Sequence, residues 1–134
     1  MNEDIKICHS LAKDAGNRMR AYILSVASGA AGVIFVSLTR EPIMALSCLQ
    51  RLFMIVALVS FVSTVAVSLI ELRIDARRFF SIAKQLEKPK EEQDWSINEH
   101  YKTLRLRLLN TTYILFAIGL VAVTVYMVAI IMGT

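Results

Sequence analysis

The sequence predicts an all-α integral membrane bundle, with three transmembrane helices extended into a cytoplasmic helical stalk. Three observations carry this prediction. Charged residues are absent from 21–39, from 52–70 and from 108 onward. Each gap is close to the roughly 20 residues that an α-helix needs to cross a bilayer core. The apolar runs also lack the polar face that a soluble helix keeps; "YILFAIGLVAVTVYMVAIIM" (113–132) has none. Finally, helical periodicity continues beyond each run into charged sequence. At 134 residues the chain has the length of one domain, 1–134.

Residues 1–20 form the first extension. Ile5, Cys8, Ala12, Ala15, Met19 and Tyr22 recur at alternating steps of three and four, the spacing of one apolar helix face near coiled-coil register. The first span follows at 22–38. A long charged stretch containing acids precedes it, unlike the short basic n-region of a signal peptide, so a retained anchor is expected. Within "SVASGAAG", Ser25 pairs with Gly29 and Ser28 with Gly32 in a small-xxx-small pattern, which lets helices approach closely in lipid. The expected use is packing within the chain.

The connection 39–51 is an outer loop, "TREPIMALSCLQR". Pro42 after Glu41 favours one or two helical turns. Ile43, Met44, Leu46 and Leu49 would rest on the outer interface; a re-entrant loop is the alternative.

The second span, 52–70, carries Ser60, Thr64 and Ser68 within about 80° of helix circumference, and Glu71 continues that sector. Asp75 and Arg78 fall in or beside it. The apolar stripe that follows the span lies about a quarter turn away. The hydroxyl sector is therefore not the obvious bundle-facing one. A neighbouring subunit or a lumen is one place for it, which makes Ser60, Thr64, Ser68 and Glu71 candidates for a pore lining or a helix interface. The favoured reading is the plainer one, a hydrogen bond from each hydroxyl to its own i−4 carbonyl.

Residues 71–112 read as a cytoplasmic helical hairpin. Leu72, Ala76, Phe79, Ala83 and Leu86 form one stripe, and Pro89 stops that helix. Ser96 with Glu99 reads as a capping box that starts the next helix. Ile97, Tyr101, Leu104 and Leu108 then lead into the third span, 113–132, with Gly119, Ala122 and Ala129 along one side. Each helix would be about 35 residues, roughly 50 Å long. Their apolar faces would be buried together in the stalk, or else lie on the lipid surface as amphipathic helices.

Charge sets the expected orientation. Lys6, Lys13, Arg18 and Arg20 precede the first span, and nine Lys and Arg residues lie in 71–112, against Arg40 and Arg51 in the short connection. The positive-inside rule places the N-terminus in the cytoplasm and the C-terminus outside a cell inner membrane. Only Gly133 and Thr134 follow the last span, so no exported domain is expected. Arg73, Arg77 and Arg78 are assigned to lipid headgroups. The net charge of +4 is spread among acids, unlike a phosphate-binding patch, so no nucleic acid partner is expected. Cys8 and Cys48 fall on opposite sides and cannot pair within one chain.

No enzyme signature is present: there is no HExxH, CxxC, Gly-rich phosphate loop or nucleophile elbow. His9 and His100 lie in different helices, and adjacent Cys8 and His9 point about 100° apart. No catalytic residue, metal ligand or cofactor is assigned. No ionisable side chain lies inside a span, whereas ion-coupled transporters keep such groups there.

The order of a helix, two spans and then "RIDARRFFSIAKQLEK" resembles SLATT-type bacterial membrane effector modules over residues 13–88, with a loose pattern of Arg77, Ala83 and Leu86. The resemblance implies a pore-forming effector; the third span is a departure from it, and no family site residue carries over. The function expected is a non-catalytic, homo-oligomeric protein that forms a pore or perturbs the bilayer, with a possible cytoplasmic protein partner at the stalk. The alternative is an accessory subunit of a larger membrane complex.

Overall fold

The computed structural model describes residues 3–40 and 46–133. Among these, three long helices account for nearly everything: α1 Glu3–Arg40, α2 Cys48–Leu86 and α3 Ser96–Met132, with one 3-10 turn at Lys90–Glu92 between α2 and α3. Each helix contains a stretch long and apolar enough to cross a membrane. The helices run 37 to 39 residues without a break, because no proline interrupts them. The helical turns expected after Pro42, with Ile43 and Met44, lie outside the described residues.

The helix boundaries show which local signals decide. At the start of α2, the Ser47 hydroxyl accepts from the Gln50 backbone N–H and the Gln50 side chain accepts from Ser47 N–H, each at 3.2 Å. That is a reciprocal capping box, which satisfies N–H groups left without intrahelical partners. The box expected at Ser96 and Glu99 is not formed, since Ser96 already lies within the helix and Trp95 occupies the cap position. Asp94 serves instead: its carboxylate accepts from Ser96 N–H at 2.9 Å. That backbone hydrogen bond, then one from the Ser96 side chain, then the charge of Lys88, hold Asp94 below the usual aspartate range against a small opposing desolvation. Helix α2 ends before Pro89 as expected, and α3 ends on Gly133 in the left-handed conformation that glycine adopts without strain.

Helix α2 is central. Helix α3 packs antiparallel along much of it; α1 packs on it more sparsely and barely meets α3. The seam on α2 is Met54, Ala57, Phe61, Thr64, Ser68 and Glu71, at alternating three- and four-residue steps. The facing residues on α3 include Thr112, Gly119, Ala122 and Ala129, and those on α1 are Ile23 and Ala27. At the centre the Phe61 ring lies edge-on to Phe116 and closes on Gly119. A Cβ at Gly119 would meet that ring at 2.9 Å.

The extensions depart from the expected stalk. Residues 3–19 of α1 are all exposed, including Ile5, Ile7, Leu11 and Met19. Leu72, Phe79 and Leu86 of α2 and Ile97 of α3 are exposed as well. The stalk is thus mainly an α2–α3 hairpin with α1 alongside, touching it through Lys13, which lies over the Phe79 ring at 5.5 Å.

Candidate functional site: a buried charge cluster beside one of two cavities

The sector carrying Ser60, Thr64, Ser68 and Glu71 faces into the chain's own bundle. All four are buried, Thr64 completely. They line the chain's own helix interface rather than an open lumen. The apolar stripe after the span is a poor guide to the inward direction, because Leu72, Phe79 and Leu86 are themselves half exposed. Thr64 donates its hydroxyl to the Ser60 carbonyl at 2.8 Å, and Thr112 across the seam does the same to Leu108 at 3.0 Å. Such i−4 bonds satisfy a hydroxyl without a partner on another helix.

Glu71 is the chemically distinctive member, at 2% exposure. Arg20 of α1 donates from Nη1 to its Oε1 at 2.6 Å. Arg105 of α3 places Nε 3.7 Å from the same oxygen and 3.5 Å from Asp75 Oδ1. Arg20 also donates to Asn17 Oδ1. Asp75 Oδ1 is buried and makes no hydrogen bond among the described residues. The cluster therefore joins all three helices through two guanidinium and two carboxylate groups. Formal charge cancels, as burial requires when charges are withdrawn from water. Sequence reasoning found Glu71 but missed Arg20 and Arg105 as its partners. The available signal was depth, since Arg20 and Glu71 each sit one residue outside a charge-free run.

Two cavities lie along the seam that α1 and α3 leave open over α2. One, of about 340 Å³, adjoins the cluster and is lined by Asn17, Arg20, Ser68, Glu71, Asp75 and Thr112 among others. The other, of about 830 Å³, opens toward the far end and is lined by Ser28, Gly29, Gly32, Ser37, Arg40, Ala57 and Tyr126 with apolar neighbours. Between them stands an apolar layer of Ala27, Ala57, Phe61 and Ala122.

The small residues divide. Gly119 and Ala122 are buried in the α2–α3 seam, as expected for packing. Ser25, Ser28, Gly29 and Gly32 are exposed, and nothing lies within 4 Å of a Cβ built at either glycine. Their expected packing within the chain is therefore not made; Ala27, Ala30, Ala31 and Ile34 form the contact face of α1 instead. Arg73 and Arg77 are exposed, and Arg78 is half-buried and donates Nε–H to Asn98 Oδ1 at 2.9 Å, which ties α2 to α3. His9, His100, Cys8 and Cys48 are all exposed. Among the described residues no group of three His, Cys, Asp or Glu is placed to hold a metal ion. No family model, curated protein or solved structure matches the chain.

Proposed function

We propose that the protein is a non-catalytic, homo-oligomeric membrane protein that opens a route through the bilayer along its own α1–α3 seam. One observation carries the reading: two cavities on one seam, one of them beside the charge cluster, are separated by a single apolar layer around Phe61. A hydrophobic constriction between wider spaces gates by excluding water. The sparse packing of α1 makes it the element that moves. The Arg20–Glu71 pair holds α1 to α2 at the charge-cluster end, so breaking that pair releases the seam. The charge distribution favours placing this end in the cytoplasm. The resemblance of residues 13–88 to SLATT-type modules points the same way. A subunit role in a larger complex is the second reading, favoured by the uncovered residues 3–19 of α1.

The test is ion leakage from liposomes containing the purified protein. Phe61→Ala and Phe61→Ser thin the apolar layer and are expected to raise leakage above wild type. If wild type and both variants, correctly inserted, leave the gradient intact under every trigger tried, the route is wrong and the subunit reading gains.

A further inference from the structure

We infer that copies of this chain associate head to tail, with the outer face of α1 of one copy in the basic groove between α2 and α3 of the next. The inference deepens the proposed homo-oligomer and rests on that reading.

The groove is about 690 Å³ and carries Arg73, Arg77, Lys84 and Lys88. At 100° per residue the three on α2, Arg73, Arg77 and Lys84, fall within about 40°, a single basic strip, and Lys88 lines the same groove just past the helix end. Phe80 stands in its middle at 74% exposure. No α1 residue of the same chain lines it. From Arg73 to Lys84 the strip runs roughly 16 Å at 1.5 Å per residue, and Lys88 lies past the end of the helix. A headgroup layer is only about 5–8 Å deep, so lipid can meet the Arg73 end but not Lys84 and Lys88.

The outer face of α1 has the complementary pattern. Arg20, Ile23 and Ala27 turn toward α2. Glu3, Asp4, Ile7, Leu11 and Asp14 fall in a sector of about 100° on the opposite side. All five are exposed, and Ile7 and Leu11 are more than half exposed.

Depth aligns the two surfaces. Arg20 pairs with Glu71, and Lys13 covers Phe79. These contacts fix which residues of the antiparallel α1 and α2 share a level. Asp14 is level with Arg77, Leu11 with Phe80, Ile7 with Lys84, and Glu3 and Asp4 with the end of α2, just past which Lys88 lines the groove. Copies inserted the same way in one bilayer share depth, so the same levels hold between neighbours. Acid then meets base at both ends of the contact, and apolar residues meet Phe80 between them. Two groups oppose the match: Arg18 is level with Arg73, and Glu87 flanks Lys88. The Arg18 level is nearest the headgroups, whose anionic phosphates accept both guanidiniums. Because the two surfaces differ, each contact leaves a free α1 face and a free groove, so association propagates into a ring or a row.

Cysteine cross-linking in native membranes tests this, after Cys8→Ser and Cys48→Ser. Leu11→Cys with Phe80→Cys is expected to give a ladder of dimers and higher species on oxidation. Within one chain these side chains point apart and cannot bridge. Ile7→Cys with Lys84→Cys, one level further from the membrane, should give the same ladder, while Ile5→Cys with Phe80→Cys should give several-fold less. Asp14→Arg or Arg77→Asp alone should lower the Leu11–Phe80 ladder about two- to five-fold, the range of an exposed ion pair, and the two together should restore it. Absence of both ladders, while native mass spectrometry still finds a homo-oligomer, would overturn this contact and leave the oligomer standing. Monomer by every measure would overturn both. A monomer that retains anionic lipid until Arg77 and Lys84 are replaced would assign the groove to lipid and overturn the contact.

Discussion

Replacing Glu71 with Gln tests whether the charge cluster holds the bundle together. The substitution keeps the shape and one acceptor oxygen but removes the charge that faces two guanidiniums. Arg20 approaches to 2.6 Å and Arg105 to 3.7 Å, and the Glu71 side chain is 3% exposed. Coulomb's law at an effective dielectric of about 20 gives roughly 4–6 kcal/mol for each contact before desolvation is counted. Desolvation of the ions offsets much of this, so the intact cluster contributes far less than the sum. Breaking it is another matter, because Arg20 and Arg105 are left largely buried with only Asp75 and Asn17 for company. Loss of one partner from a buried pair costs roughly 3–5 kcal/mol. The assay is unfolding of purified protein in mixed micelles, followed by circular dichroism as denaturing detergent is increased. The double variant Arg20→Met with Glu71→Met, which leaves Arg105 to Asp75, should recover a large part of the loss. A cost for Glu71→Gln below about 1 kcal/mol, the value of an exposed surface pair, would refute the cluster as a buried lock.

Three further outcomes follow from the packing and the caps. Gly119→Leu drives a side chain into the Phe61 ring; overpacking costs about 1–3 kcal/mol and exceeds the roughly 1 kcal/mol of helix propensity gained, so the micelle unfolding midpoint should fall. Gly16→Ala, with nothing within 4 Å of the added Cβ, should raise it by up to about 1 kcal/mol. Ser47→Ala removes the capping box of α2 and should cost about 1 kcal/mol, with faster amide hydrogen exchange confined to the first turn. Asp94 supplies a pH test. Its folded pKa is depressed, so the stability it contributes is present above its unfolded pKa and is lost as pH falls through the folded value. Its carboxyl resonance should titrate below that of an unfolded aspartate, and Asp94→Asn should abolish the acid-dependent fraying at the start of α3. An ordinary titration midpoint would remove Asp94 from its capping role.

The sequence by itself determined the number, length and order of the helices. Charge-free runs long enough for a bilayer mark the three apolar stretches, and Pro89 and Gly133 stop two helices by removing a donor or permitting a left-handed residue. Which face turns inward was not legible in the same way. In lipid the exposed side chains are as apolar as the buried ones, so hydrophobic contrast vanishes and small residues mark contacts instead. Small residues also line open surface here: Gly119 is closed on by Phe61, while Gly29 and Gly32 meet nothing. Only the tertiary structure separates these cases, because the difference lies in what the neighbouring helix presents. The same holds for Glu71. Its place at the end of a span was readable, but its meeting with Arg20, 51 positions away, depends on antiparallel packing that brings equal depths together. Hydropathy fixes each helix along its axis, and rotation about that axis is set by shape and charge on its neighbours.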